Sequence, residues 1–299
     1  IAIKALILPK FESGEMSGDF PGEAQYYYEA YCMGGEEYDI VGGFESNKLY
    51  VKDGIALYVT GMGKVNSAMT LQAILMDDRF DFSNAYIVST GCAGSAIEYG
   101  VMGDVFVITA TVDFDLGHHA DARDLTTDLA TTWFHDESYD DASAKLLDQE
   151  LCEKVFNLVK DVQIETTEKT RAFMAATFDN ADWAIRDPKV LRGTTVTGDN
   201  YWKGMHDHEN ALLMTETYGC PDPYALTEME DNAMAVVLDR LGMLDHYIII
   251  RDSVNTDVFM NGASPESLWD PNFVDSLASE SSVESADIFA TAMKNNFTV

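Results

Sequence analysis

The chain has 299 residues, of which 51 are acidic and 19 basic, giving a formal net charge of −32. A surface this negative repels nucleic acid and anionic membranes, so neither is a partner the chain suits. No apolar run reaches the roughly 18 residues of a membrane span, and 46% hydrophobic composition supports one α/β domain over 1–299 with a polar insertion around 113–143.

Ala2–Leu8 reads as a buried first strand, followed by Pro9 and an acidic, aromatic loop over Lys10–Tyr31. Tyr38–Val41 and Leu49–Val51 are expected to pair as a short hairpin. Two apolar runs, Ile55–Val59 and Ala85–Val88, then each open onto a glycine-rich turn, and Val65–Leu75 between them carries apolar residues at helical spacing. Strand, glycine turn, helix, strand and glycine turn make a βαβ unit of a parallel sheet. Glycines at the carboxyl ends of such strands let backbone approach a ligand closely, so a small-molecule crevice is expected there.

Gly103-Asp104 marks a turn before a strand at Val105–Ile108, and Asp113–Ser143, rich in Asp, His, Thr and Ser, reads as a long excursion from the core. Helical spacing follows over Lys145–Asp161, and Leu191–Thr197 is a strand opening onto Gly198-Asp199-Asn200-Tyr201-Trp202. Ala225–Leu241 is predicted as one amphipathic helix closed by Gly242. His246–Ile250 is a buried strand ending at Arg251-Asp252, and Ser279–Met293 forms the last helix. Strands alternating with helices imply a mixed, mostly parallel twisted sheet flanked by helices.

Several residues in this pattern carry chemistry. Asp252, at the expected mouth of a buried strand, would have its pKa raised by desolvation and serve as a general acid, although a cap on the Asp252-Ser253 turn explains it as well. Glu228 and Glu230 flank Met229 near a helix start; the helix dipole accounts for both, and the functional alternative is a carboxylate accepting bonds from sugar hydroxyls. Tyr201 and Trp202 follow Asn200 on a loop where an aromatic ring could stack on a flat base. Cys92, in the second glycine turn, reads more readily as a small buried residue than as a reactive thiol. His206 and His208 lack tidy metal spacing, and Cys32, Cys92, Cys152 and Cys220 form no CxxC pair, so the cysteines leave disulfides open.

Taken in order, G-M-G-K-V-N-S-A (Gly61–Ala68), S-T-G-C-A-G-S (Ser89–Ser95), G-V-M-G-D-V (Gly100–Val105), T-G-D-N-Y-W (Thr197–Trp202), T-E-M-E-D-N-A (Thr227–Ala233) and I-R-D-S (Ile250–Ser253) resemble the nucleoside phosphorylase superfamily, most closely its purine nucleoside permease-like branch. The resemblance implies a nucleoside phosphorylase-like fold and cleavage of the N-glycosidic bond of purine nucleosides, with phosphate or water as acceptor. It matches Asp252 to the acid that protonates purine N7 and Glu230 to the carboxylate holding the ribose hydroxyls, with Met229 against the sugar; Glu228 stays a substrate-binding candidate. Tyr201 matches the ring stacked on the base, in a loop that also brings Asn200 and Trp202, and Gly91 and Cys92 match the turn facing the nucleophile. A homo-oligomer is implied, with no metal and no organic cofactor.

The acceptor side departs from that pattern. Ser89 or Thr90 stands where phosphorylases of the superfamily place an arginine, and none precedes Arg79, which leaves Lys64, Arg123, Arg171 and Arg251 as phosphate candidates. The balance favours water, with phosphate kept open as a co-substrate. Glu12 lies near the position of a nucleosidase base, but Gly14 occupies one register of that match. The alternative to an enzyme is a non-catalytic nucleoside-binding protein serving uptake; a third is a storage or structural protein that kept the fold. The acidity and an isoleucine at position 1 point to an extracytoplasmic setting, periplasmic or secreted, with the cytoplasm left open.

Overall fold

The computed structural model describes residues 1–128, 131–178, 186–261, 264–265 and 283–299. The amino-terminal part contains β1 (Ala5–Leu8), β2 (Glu36–Asp39), β3 (Lys48–Lys52), β4 (Ile55–Leu57) and β5 (Tyr86–Ser95). β1 is an unbroken, mostly buried apolar run in the sheet interior, where β4 and β5 both pair with it in parallel. Helix α1 (Lys64–Leu75) connects β4 to β5, so the predicted βαβ unit is present, with β1 lying between its two strands. β2 and β3 form the expected antiparallel hairpin. Gly61 makes the turn ahead of α1: its φ is +78°, and a Cβ there would lie 2.5 Å from the Phe44 ring.

The rest of the sheet comes from β6 (Val105–Asp113), β10 (Val190–Thr197), β11 (Tyr224–Glu228) and β12 (Tyr247–Thr256), with β9 (Ala144–Leu146) on the flank of β6. The strand order is β11-β10-β6-β12-β5-β1-β4-β3-β2. β11 also pairs antiparallel with the end of β5, at Leu226–Ser95 and Thr227–Gly94. β5, β12, β6, β10 and β11 therefore close into a ring. The mixed α/β architecture is as expected: β1 with β4 and β5, β10 with β6 and β11, and β12 with β5 pair in parallel, while β12 with β6, β11 with β5, β9 with β6 and the β2-β3-β4 meander are antiparallel. Helices α2 (Gln149–Val159), α3 (Glu168–Thr177), α4 (Met205–Thr217), α5 (Asp231–Arg240) and α6 (Val283–Thr298) pack outside. The portion of the predicted last helix before Val283 lies outside the described residues.

Three local readings change. The predicted helix Ala225–Leu241 is two elements: Tyr224, Ala225 and Leu226 are almost fully enclosed in strand β11, and the helix begins only at Asp231. A short apolar run fits a strand or a helix equally well, and burial between β10 and β5 selects the strand. Second, β5 and β12 do not stop at their apolar runs. β5 continues through Gly91, Cys92 and Gly94, and β12 through Asp252, because their polar side chains satisfy one another across the pair, Ser253 Oγ donating to Ser95 Oγ at 2.8 Å. Third, the excursion after Asp113 carries a small ribbon, β7 (His118–His119) against β8 (Trp133–Phe134), and β9 precedes α2.

The core beneath α1 and α5 includes Leu6, Leu8, Ile74, Ile87, Phe106, Leu226, Met234 and Ile249. Each such side chain contributes about 1.5–3 kcal/mol by leaving water. That rigid base fixes the ends of β1, β5, β11 and β12, where the polar residues gather.

Candidate functional site

Consecutive strand residues point to opposite sides of a sheet, and β12 separates two very different environments at Arg251 and Asp252. Arg251, 1% exposed, donates from Nε and Nη2 to Asp231 at 2.9 and 2.8 Å, from Nη2 to Glu228 at 3.3 Å, and from Nη1 to the Cys92 carbonyl at 3.0 Å. Glu230 lies 3.6 Å away. Asp231 also accepts from Ser89 Oγ at 2.6 Å. Burial alone would raise the Asp231 pKa, but the adjacent Arg251 guanidinium overrides it and holds the carboxylate below its usual range. Glu228 accepts from the Glu230 and Asp231 amides at 2.6 and 2.8 Å, so its carboxylate starts α5 as well as pairing with Arg251. Burial, reinforced by Asp231, raises the Glu228 pKa.

Lys10 belongs to the same buried network. Its ammonium donates to Ser89 Oγ and the Thr90 carbonyl, both at 2.9 Å, and to the Leu8 carbonyl. Burial and the positive Arg251 lower its pKa to about 8, while burial raises Glu230 to about 8 against the pull of Arg251. An acid and a base thus both titrate near neutrality within one enclosed cluster, a property that marks candidate sites for proton chemistry.

On the other side of β12, Asp252 is fully enclosed and neither carboxyl oxygen has a hydrogen-bond partner among the described residues. Burial raises its pKa well above the usual carboxylate value, the nearby Glu23 charge adds to this, and the Asn296 amide and Arg251 oppose it. Its register neighbour Cys92 donates from backbone N–H and thiol to Glu23 Oε1 at 2.9 and 3.2 Å. Glu23 Oε2 accepts the Lys10 amide at 2.7 Å. Gly91 is required at this contact: its φ is +143°, and a Cβ would meet Glu23 Oε1 at 2.5 Å. Burial, ahead of Glu23, raises the Cys92 thiol well above its ordinary value, so it is not a ready nucleophile. Asp252 therefore sits within strand β12 and lines neither of two clefts formed by the described residues.

A small cleft of about 40 Å³ opens instead where the Gly198–Trp202 loop faces the ends of β5, β11 and β12. Asn200, Tyr201, Trp202, Glu228 and Met229 line it, joined by Asn255 and by Gly94, Thr227 and Thr256. Glu230 is next to Met229 in the chain but not on the wall, and Gly91, Cys92 and Asp252 lie elsewhere. Tyr201 is half exposed and its hydroxyl accepts from Asn255 Nδ2 at 2.9 Å. Trp202 stacks on Phe114 with centroids 5.0 Å apart, and its buried indole N–H has no partner among the described residues. Asn200 donates to Asp115 at 3.2 Å, which ties the loop to the polar excursion. A second, larger cleft of about 280 Å³ lies beyond β1 and β4, with Phe11, Phe44, Tyr50 and Met62 on its walls.

The phosphate candidates are all engaged. Lys64 pairs with Asp113 and Asp115 at 3.0 and 2.9 Å, Arg123 with Asp121, Arg171 with Asp187, and Arg251 with its three carboxylates. The amino end of α1, the natural anion seat of the glycine turn, is taken by Asp199, which accepts the Lys64 amide at 2.7 Å. Glu12 accepts four backbone amides, from Ser13, Gly22, Ala24 and Gln25, and so shapes the loop that carries Glu23. His206 meets Thr132, while His208 sits between Asp257 and Glu98, so the two histidines do not converge. All four cysteines are free.

Sequence reasoning missed Lys10, Glu23, Asp231 and Asn255. Lys10 had a signal, a lone cation directly after a buried strand in an acidic chain, and Asn255 stands three positions beyond Asp252. Glu23 had none, because its partners Lys10 and Cys92 lie far from it in sequence.

The model of the purine nucleoside permease family matches residues 2–296. The chain belongs to that family. A probable purine nucleoside permease of Schizosaccharomyces pombe is 27% identical over 229 residues, covering 68% of this chain and 64% of the relative. A purine nucleoside permease of Candida albicans is 23% identical over 210 residues, covering 64% and 51%. The chain thus matches less than two thirds of the length of these relatives. Among solved structures, the 5'-methylthioadenosine/S-adenosylhomocysteine nucleosidase of Neisseria meningitidis aligns with a TM-score of 0.55 at 16% identity, covering 98% of this chain and 97% of its own. Futalosine hydrolase of Helicobacter pylori aligns at 0.54 and 17%, with 98% and 97% covered. These likenesses establish a shared fold. Among the described residues, no helix is long and apolar enough to cross a membrane.

Proposed function

We propose that this chain binds purine nucleosides in the cleft between the Gly198–Trp202 loop and the ends of β5, β11 and β12. The observation that carries the reading is the lining: an exposed tyrosine ring and the Asn255 and Asn200 amides stand with Thr227, Glu228 and Met229 around one opening. A purine offers a flat face for stacking and an edge of donors and acceptors for amides, while ribose hydroxyls suit a carboxylate and threonines. Membership of the purine nucleoside permease family supports the same ligand class.

One observation favours a second reading, cleavage of the N-glycosidic bond by water. Glu230, adjoining Met229 of the cleft wall, is a carboxyl whose pKa burial lifts to about 8, so it can give or take a proton near neutrality. The engagement of Lys64, Arg123, Arg171 and Arg251 by carboxylates supports water over phosphate in that reaction. Asp252 is fully enclosed and lines neither cleft, so Glu230 is the stronger candidate for that proton.

Calorimetric titration with inosine, guanosine and adenosine, run beside chromatography of released base with and without phosphate, tests both readings. Saturable binding by the wild type, weakened at least tenfold in Tyr201→Ala, is expected. No binding of any purine nucleoside would overturn the first reading. Base release without phosphate that disappears in Glu230→Gln while binding persists would support hydrolysis; release that requires phosphate would refute the argument from paired cations.

A further inference from the structure

The cleft assigned to nucleosides is narrow. Its volume of about 40 Å³ has room for a few water molecules, whereas pockets for small organic ligands run to about 300 Å³ or more. One wall is fixed: Gly94, Thr227, Glu228, Asn255 and Thr256 stand on the paired strands β5, β11 and β12. The other wall is the loop, and its ends are pinned. Gly198 donates its amide to the Glu228 carbonyl at 2.9 Å, and Trp202 is buried against Phe114. Between them Asp199, Asn200 and Tyr201 are exposed.

Polar bonds hold this exposed stretch down, and they converge on Lys64, the first residue of α1. Its backbone amide donates to Asp199 at 2.7 Å. Its ammonium pairs with Asp115 at 2.9 Å, and Asp115 accepts the Asp199 amide at 2.7 Å and the Asn200 side-chain amide at 3.2 Å. Asp113 completes the arrangement: it pairs with Lys64 at 3.0 Å and accepts the Asp115 amide at 2.9 Å. Burial pulls the Lys64 pKa down, but Asp115 and Asp113 outweigh it, so the ammonium keeps its charge.

We propose that Lys64 is a positioning residue that latches Asp199–Tyr201 down as a flap, and that a nucleoside enters the cleft only when this latch opens. The inference rests on the cleft being the nucleoside site. Strand pairing holds the fixed wall and ionic bonds hold the other, so the flap is the part that makes room. Partly exposed ion pairs weaken with salt. A nucleoside carries no charge, so a salt effect on its entry comes from the protein. Tyr201 rides on the flap, so the ring that would stack on the base is released and re-seated as each ligand enters.

Stopped-flow fluorescence of inosine binding and amide exchange of the ligand-free chain test this. The wild-type association rate is expected to rise about threefold from low to high salt. Lys64→Met is expected to associate about tenfold faster and without that salt dependence, and Lys64→Arg to restore wild-type behaviour. In the ligand-free chain, exchange at the Asp199–Tyr201 amides should quicken about tenfold in Lys64→Met, while the Gly198 and Gly204 amides, which donate to Glu228 and Asp257, stay unchanged. A salt-independent wild-type rate, a Lys64→Met variant that binds no faster, or equal exchange at Asp199–Tyr201 in both proteins would overturn the latch. Faster exchange in the variant with no nucleoside binding by either protein would instead overturn the cleft as the nucleoside site, so the two readings fail separately.

Discussion

Arg251 and Asp252 are adjacent on one strand and both almost completely enclosed, yet the protein treats them in opposite ways. Arg251 has partners for its guanidinium on every side: Asp231, Glu228 and a backbone carbonyl. Asp252 has none for either oxygen among the described residues. A buried ion is tolerated when its charge is matched and its donors are used, whereas an unmatched carboxyl is kept neutral by a shift in its pKa. The Arg251 side is therefore a fixed scaffold for the ends of β11 and α5, and the Asp252 side holds a carboxyl whose pKa burial raises.

The largest effect is expected from removing the matched cation. Arg251→Met would leave Asp231, Glu228 and Glu230 enclosed without a counterion beyond Lys10, and a loss of roughly 3–5 kcal/mol in unfolding free energy is expected. Chemical denaturation measures this directly. A loss below about 1 kcal/mol, the range of an exposed ion pair, would mean that water reaches the cluster and that the two sides differ less than their geometry indicates.

What could be read from the sequence follows the same division. The βαβ unit around Gly61 and α1 is legible because glycine placement and helical periodicity are local signals. The loop carrying Asn200, Tyr201 and Trp202 is legible for the same reason, and the structure sets it beside Glu228 and Met229. The polar halves of β5 and β12 are not. Ser89, Thr90, Ser253 and Asn255 look like loop residues until each finds a partner in a distant strand or helix. Neither is the charged network, in which Lys10 reaches Ser89 across 79 positions and Ser89 reaches Asp231 across 142. Asp252 stands out in sequence as a carboxylate after an apolar run, but its enclosure depends on β5, β6 and α6, which no local pattern reveals.

The raised pKa of Asp252 makes a pH prediction. Its folded pKa lies above the unfolded value of 3.8, so its contribution is fully present below that value and is lost as pH rises through the folded pKa. Within that window the loss approaches about 1.4 kcal/mol per pH unit. Asp252→Asn removes the titration while keeping the shape. Thermal midpoints of the two proteins should move together in acid, and the variant should become the more stable one as pH increases. Parallel midpoints from pH 4 to 9 would show that Asp252 has a partner or a path to water.

His208 provides a smaller and intermediate case, an enclosed titratable group that is matched. Its Nδ1 meets Asp257 at 2.5 Å and its Nε2 meets Glu98 at 2.9 Å, while Asp257 also accepts from Tyr224 at 2.9 Å. Burial pulls the imidazole pKa down, but Asp257 and Glu98 together outweigh it and leave it above 6.5. The protonated form is therefore favoured by folding; its contribution is complete below pH 6.5 and fades as pH rises through the folded value. His208→Gln should be destabilising by about 1 kcal/mol in mild acid, because Glu98 is largely exposed and water weakens its share. The difference should narrow in alkali. The same substitution should also loosen the cleft, since Asp257 adjoins Thr256 on its wall and accepts no other histidine. A His208→Gln difference that grows with pH would mean that the ring is held neutral, and that a matched partner alone does not decide which enclosed groups keep their charge.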